Sequence, residues 1–363
     1  MKSFQNILVT GGAGFIGSNL IRYLFGLGTL NPSVVAPFRG RIINLDLLTY
    51  AGNPLNLADV AAQEPERYVF VQGDICDRAT VEKVFETYSI DTVIHLAAES
   101  HVDRSILGPE AFIKTNVLGT FTLLDVARKA WKDRTDVLFH HVSTDEVYGS
   151  LADTGYFTET TNYDPRSPYS ASKASSDHLV HAYHHTYFLP VTLTNCSNNY
   201  GPYQFPEKLL PVMIYNMVDK KPLPVYGDGK NIRDWLYVED HNSAVWTVMN
   251  KGVEGQDYNI GGDNEWENIR LIYTLCDLVA KKSNQDPKNL TDLITYVKDR
   301  PGHDRRYAID CKKLKNDLGW SQSVTFEEGL AKTVDWYLTN TQWAAQVKSG
   351  EYRKWMEKNY TQR

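Results

Sequence analysis

The chain has 363 residues, 42% hydrophobic and 23% charged, with a formal net charge of −6. That length allows one large domain, or a domain with a smaller companion, around a sizeable core; the acidic balance argues against nucleic acid as the main partner, and no uninterrupted apolar run approaches membrane-spanning length. The opening Met1-Lys2-Ser3-Phe4-Gln5 carries no signal-peptide pattern, and Cys76, Cys196, Cys276 and Cys311 lie too far apart for a CxxC motif, so buried free thiols in a reducing cytoplasm are expected.

Residues 6–10, 41–45, 68–72, 92–96 and 137–143 are short runs rich in Val, Ile and Leu, ending in turn or polar residues. Such runs predict strands buried on both faces. Between them, residues 15–27, 78–88 and 109–131 predict helices. The βαβ alternation predicts an α/β fold: a doubly wound, parallel-sheet Rossmann domain. From about residue 195 Pro, Gly, Asn and aromatic residues become dense through 240, and helices are predicted at 268–282 and 326–340. This change of texture divides the chain into a dinucleotide-binding domain over 1–195, a smaller C-terminal α/β substrate-binding lobe over 196–340 with segments free to cross between lobes, and a helical tail over 341–363.

The first strand runs into Gly11-Gly12-Ala13-Gly14-Phe15-Ile16-Gly17. Gly12, Gly14 and Gly17 fit GxGxxG, and the strand–turn–helix context gives the motif its meaning. Glycines there allow a tight turn and let backbone N–H groups approach a pyrophosphate at the helix N-terminus. Asp46 ends the second strand, where an acid accepts hydrogen bonds from an adenosine ribose and repels a 2′-phosphate, so NAD is favoured over NADP. Asp74 ends the third strand, placed either to meet an adenine or to cap the next helix. Leu96-Ala97-Ala98 ends the fourth with small residues that let a cofactor lie close.

Tyr169 and Lys173 are four residues apart and share a face if the segment is helical. A phenol is a poor base at neutral pH, but a neighbouring ammonium stabilises the phenolate. Such a pair can take a hydroxyl proton while hydride leaves for a nicotinamide. His181, His184 and His185 also have helical spacing; without an acidic or cysteine partner nearby they predict a solvated helix face, and no metal site is expected.

With these residues in view, the chain resembles an extended short-chain dehydrogenase/reductase. The resemblance narrows to the dTDP-glucose 4,6-dehydratase family on Asp46-Leu47-Leu48-Thr49-Tyr50-Ala51-Gly52-Asn53, Ala98-Glu99-Ser100-His101-Val102-Asp103-Arg104-Ser105 and Ser143-Thr144-Asp145-Glu146-Val147-Tyr148-Gly149. It continues through Asn195-Cys196-Ser197-Asn198-Asn199-Tyr200-Gly201-Pro202, Phe205-Pro206-Glu207-Lys208-Leu209, Tyr226-Gly227-Asp228-Gly229, Arg233-Asp234-Trp235 and Arg300-Pro301-Gly302-His303-Asp304. Departures are the loop at 31–37, a shortened stretch before Val137 and the tail after Asn340.

The resemblance implies a redox-neutral reaction on a nucleotide sugar, dTDP-glucose, with NAD as cofactor. Asp145 is the implied acid and Glu146 the implied base for loss of water across C5–C6, with Thr144 bonding the C4 oxygen beside Tyr169 and Lys173. A related 4-epimerase usually lacks both carboxylates, and a nucleotide-sugar decarboxylase or GDP-mannose dehydratase commonly keeps only the Glu. Implied cofactor contacts are Gly11, Gly14, Phe15, Ile16, Gly17, Asp46, Leu47, Leu48, Thr49, Asp74, Ile75, Leu96, Ala97, Ala98, Ser100, Thr115, Tyr169, Lys173 and Asn199. Implied substrate contacts are Ser100, Thr144, Asn198, Glu207, Lys208, Leu209, Pro224, Tyr226, Arg233, Asn268, Arg300 and His303; the guanidinium of Arg233 suits two diphosphate oxygens at once. A homodimer through helices near 109–131 and 168–188 is also implied. The alternatives are a 4-epimerase, a dehydratase of another nucleotide sugar, and, from another class, a non-catalytic NAD-binding scaffold.

Overall fold

The computed structural model describes residues 4–28 and 38–347. The predicted loop at 31–37 and all of the tail beyond residue 347 lie outside the described residues; the tail's described part is the helix Thr341–Val347. The strands are β1 (Asn6–Thr10), β2 (Arg41–Asp46), β3 (Tyr68–Gln72), β4 (Thr92–His95), β5 (Leu138–Thr144), β6 (Val191–Cys196), β7 (Asn198–Tyr200), β8 (Leu223–Tyr226), β9 (Ile232–Tyr237), β10 (Asp257–Ile260), β11 (Glu265–Glu267) and β12 (Ile294–Val297).

Seven strands form one parallel sheet in the order β3-β2-β1-β4-β5-β6-β10. The order reverses between β1 and β4. A crevice opens there at the carboxyl ends of the strands, the place where doubly wound sheets bind ligands. The strand interiors are apolar because helices cover both faces. On one face Ile7, Val9 and Ile94 pack with Leu20 and Ile21 of helix Phe15–Leu24, Val245 and Val248 of helix Val238–Lys251, and Leu314 of helix Lys312–Leu318. On the other, Leu8, Ile43 and Val93 pack with Val81 of helix Arg78–Tyr88, Leu123 of helix Thr120–Trp131 and Val180 of helix Pro168–Tyr187.

The large sheet therefore draws β10 and the helices at 238–251 and 312–318 from beyond residue 195. A second core gathers Leu210 and Ile214 of helix Leu209–Val218, Leu271 and Leu275 of helix Asn268–Ser283, Leu330 and Val334 of helix Phe326–Thr339, and Trp235 of β9. Around it lie the three-stranded sheet β11-β9-β7 and the pair β12-β8.

Two predicted helices differ in detail. The first ends at Leu24 and not at 27, because Gly26 takes φ +72° and turns the chain out of the helix. The segment at 109–131 is not uniform: Ile113–Gly119 is a wide π-helical stretch ahead of Thr120–Trp131. Gly119 makes room there, since a Cβ would meet Ile75 Cδ1 at 2.5 Å.

Candidate active site

The turn after β1 is shaped by its glycines. Gly11 has φ +72°, and a Cβ on it would stand 2.8 Å from the backbone of Ala97 at the end of β4. A Cβ on Gly17 would lie 2.3 Å from the Gly11 carbonyl oxygen, so that position closes the helix onto the turn. Gly14 precedes helix Phe15–Leu24 in an extended conformation and offers no side-chain cap. No acidic residue occupies the helix's first turn. The uncapped N–H groups and the positive end of the helix dipole thus face the crevice, as an anionic diphosphate requires.

Asp46 is buried at the end of β2. Its Oδ2 accepts from the Ala13 N–H at 2.9 Å and its Oδ1 from the Leu48 N–H at 2.8 Å. Burial raises its pKa, and the two backbone donors oppose that rise. The carboxylate both faces the crevice and ties the glycine turn to the segment after β2. Asp74 accepts from the Cys76 N–H at 2.8 Å, while the helix that follows is capped by Asp77; of the two readings of Asp74, the helix cap falls away.

One continuous cleft is lined by Gly11, Gly14, Phe15, Ile16, Gly17, Asp46, Leu47, Thr49, Asp74, Ile75, Leu96, Ala97, Ala98, Ser100, Thr115 and Asn199. The same cleft holds Thr144, Asp145, Glu146, Tyr169 and Lys173, and reaches Asn198, Glu207 and Lys208. The structure thus joins the glycine turn and the polar cluster across the carboxyl ends of β1, β4 and β5. Leu48 stands apart from the lining; at φ +59° it serves the turn through its N–H.

The polar cluster begins where β5 ends. Thr144 caps the short 3-10 turn Asp145–Tyr148, its Oγ1 accepting from the Glu146 N–H at 3.3 Å and donating to Asp145 Oδ1 at 3.3 Å. Asp145 is 2% exposed, and its Oδ2 has no partner among the described residues. Burial pushes its pKa well above the usual carboxylate range, and Glu146 and Asp234 add to the rise. Glu146 is also raised by burial, but Arg300, Lys208 and Arg233 pull the other way.

Ser167 and Ser170 form a capping box that starts helix Pro168–Tyr187 and turns Tyr169 and Lys173 inward. Burial drives the Tyr169 hydroxyl well above its ordinary pKa, with Glu146, Cys196 and Asp145 acting the same way and a Thr144 hydrogen bond opposing. Lys173 Nζ donates to the Val142 carbonyl at 2.8 Å and lies 3.3 Å from His141 Nε2, so its charge is held at β5.

Around Glu146 stands a set of charges from beyond residue 195. Arg233 is buried, donates to the carbonyls of Ile232 at 2.7 Å and Asp304 at 2.9 Å, and lies over the Tyr307 ring at 4.2 Å. The Arg300 guanidinium and the Tyr226 hydroxyl both reach Asp103, at 3.4 and 2.9 Å. His303 lies edge-on to Tyr226 and 2.6 Å from Asp299. Lys208 donates to the Ser100 carbonyl at 3.0 Å. These residues border the cleft without lining it, Lys208 and Ser100 excepted. Leu209 packs against the second core, Pro224 sits in β8, and Asn268 opens its helix with a buried Oδ1 that has no partner among the described residues.

Several residues of the site carried no role in the sequence reading. Asp103 joins Tyr226 to Arg300, and Tyr50 donates to Glu207 Oε1 at 2.8 Å beneath the Arg104 guanidinium. Asp177 lies four residues after Lys173, and that repeat of the i, i+4 spacing was its available signal. His181 does have an acidic partner, Asp257 of β10 at 3.1 Å, which strand pairing and not chain proximity brings to it.

The family described as GDP-mannose 4,6 dehydratase matches residues 8–333. A dTDP-glucose 4,6-dehydratase of Salmonella typhimurium is 53% identical over 372 residues, covering 98% of this chain and 99% of that protein. Another, from Neisseria meningitidis, is 54% identical over 358 residues, covering 96% and 98%. The fold is similar to that of the Streptomyces venezuelae dTDP-glucose 4,6-dehydratase solved with NAD and dTDP bound, at TM-score 0.85 and 45% identity over 95% of this chain and all of that one. It is also similar to a UDP-glucose 4-epimerase of Thermotoga maritima, at TM-score 0.79 and 29% identity over 93% of this chain. With its relatives matched over nearly their full length, the chain belongs to the dTDP-glucose 4,6-dehydratase family of extended short-chain dehydrogenases/reductases.

Proposed function

We propose that the cleft converts dTDP-glucose to dTDP-4-keto-6-deoxyglucose and water, with NAD as the resident cofactor. The chain is an NAD-dependent hydro-lyase. The observation that carries the reading is the pair Asp145 and Glu146, held in one turn beside Tyr169. A redox enzyme alone has no use for two buried carboxyl groups of unequal acidity; an elimination does.

Gly11, Gly14 and Gly17, the open helix N-terminus and Asp46 would hold the dinucleotide, whose diphosphate suits unblocked N–H groups and whose ribose suits a carboxylate. Bound there, NAD would supply a two-electron acceptor for C4 and, once reduced, a donor for C6, and its cationic ring would favour the Tyr169 phenolate. Tyr169 takes the C4 hydroxyl proton, and Lys173 stabilises the charge that this requires. The C4 carbonyl acidifies the C5 proton. Glu146, faced by three cations, is the base that removes it. Asp145 holds its proton through burial and gives it to the C6 hydroxyl, which leaves as water. Reduction at C6 and protonation at C5 then complete a cycle with no net oxidation. Thr144 donates toward the C4 oxygen, and Arg233, Arg300, Lys208 and Asn198 receive the nucleotide diphosphate and sugar.

The protein acts as a homodimer in the cytoplasm. Leu107, Ile113, Leu118, Phe121 and Phe188 are exposed apolar side chains on and beside the two helical segments expected to pair, which supports that reading. No described helix is long and apolar enough to cross a membrane. Incubation with a panel of nucleotide sugars, without added reductant, tests the activity. Loss of one water from dTDP-glucose is expected; an inverted C4 centre with unchanged mass would identify an epimerase.

A further inference from the structure

Behind the reactive face of Lys173 lies a second, wholly enclosed set of ionisable groups. Asp177 is one helical turn beyond Lys173 and has no exposed surface. Its Oδ2 accepts from the Ser143 hydroxyl at 2.8 Å and the Tyr163 hydroxyl at 3.0 Å. Among the described residues its Oδ1 has no assigned hydrogen bond, and it lies 3.1 Å from His141 Nε2. The same nitrogen lies 3.3 Å from Lys173 Nζ. A single ring nitrogen cannot accept from the ammonium and donate to the carboxylate at once. His141 Nδ1 has no partner among the described residues, so a proton there would leave a buried donor unsatisfied. The imidazole proton is better placed on Nε2, between the carboxylate and the lysine.

We propose that Asp177, acting across His141, is a positioning residue for the redox step: its buried carboxylate is the counter-ion that keeps Lys173 charged and in place one helical turn from Tyr169, given the role assigned to Lys173 above. A buried ammonium held by the Val142 carbonyl alone would lose its proton readily. The other groups facing Lys173 do not supply the missing charge. Cys196 on β6 is a thiol that burial pushes up to about 12. His95 on β4 and His141 on β5 are both held neutral by burial. Asp177 in turn faces Lys173, His181, Tyr163 and the Asn195 amide, of which Lys173 opposes its burial most. Burial lowers the Lys173 pKa, and Asp177 is the foremost group opposing that shift.

The test is direct titration of Lys173 in the whole protein labelled with 13C-lysine, its Cε resonance assigned by loss of the signal in Lys173→Arg. In Asp177→Asn the resonance is expected to titrate about 1–3 pH units lower than in the parent, the shift that loss of one close counter-charge produces. Asp177→Glu, which restores the charge, should recover most of it. The alkaline limb of kcat/KM should move down with the resonance. If Asp177→Asn does not fold, Tyr163→Phe removes a donor from the same carboxylate, leaves its charge less shared, and should move the resonance by a smaller amount to higher pH. An unmoved resonance overturns the proposal whether or not turnover changes. Absence of dehydratase activity in a parent that shows the shift would strike the proposed function instead.

Discussion

Asp145 and Glu146 are neighbours in one turn, yet their surroundings differ in sign. Asp145 is closed in with Glu146 and Asp234 as like charges, and Arg233 is the cation that opposes them; Glu146 is faced by Arg300, Lys208 and Arg233. One backbone turn thus presents a group that keeps its proton beside one that gives it up more easily. That is the division of labour an elimination needs.

Asp145→Asn separates function from stability. The folded-state pKa of Asp145 lies above its unfolded value, so the folded protein binds this proton more tightly. The stability this contributes is complete below the unfolded pKa and is lost as pH rises through the folded one. At neutral pH the variant is expected to melt at a higher temperature than the parent, with the gap closing in acid. Its turnover should fall by about 10²–10⁴-fold, the worth of a positioned acid. Thermal melts across pH check the first point; a lower melting temperature at neutral pH would contradict it.

Glu146 must be ionised to act, so activity is lost as pH falls through its pKa. Arg300 heads the groups that hold that pKa down. Arg300→Met should move the acidic limb of the kcat/KM profile to higher pH, and Glu146→Gln should abolish uptake of solvent deuterium at C5. An acidic limb that stays in place would remove Arg300 from the electrostatics of the base.

Tyr169→Phe keeps the ring packed against Phe112 and deletes the hydroxyl. The rate is expected to drop by about 10²–10⁴-fold, while affinity for the dTDP portion of the substrate, read by calorimetry, stays near that of the parent. A variant within a few-fold of the parent rate would refute the assignment.

Asp46→Ala removes the acid from the ribose end of the cleft and also releases the N–H groups of Ala13 and Leu48. NAD should bind more weakly, and the preference over NADP should shrink because repulsion of a 2′-phosphate is gone. Competition binding reads the ratio, and an unchanged ratio would dismiss Asp46 as its source.

The large sheet was legible where pattern and burial coincide. The strands at 6–10 and 68–72 match the apolar runs residue for residue, and the helix at 78–88 has both its predicted ends. β10 was not legible, because Asp257–Ile260 is four residues long and reveals its place only by pairing with β6. The π-helical stretch at 113–119 was hidden for a related reason: it depends on Gly119 meeting Ile75 across the fold. In the site, motif positions such as Tyr169, Lys173, Asp145 and Glu146 came together as expected, since each follows the carboxyl end of a strand or the start of a capped helix. Asp103, Asp177 and the carbonyl anchor of Lys173 were missed, because their roles lie in contacts between distant segments and not in spacing along one.

The most direct measurement follows a single hydrogen. dTDP-glucose carrying deuterium at C4 is converted in ordinary water, and the product is read by mass and by proton NMR. Oxidation at C4 and reduction at C6 within one bound sugar predict that the deuterium appears in the C6 methyl group of the product, with a solvent proton at C5 and no label left at C4. Deuterium retained at C4, or absent from C6 of the 4-keto-6-deoxy product, would contradict the account.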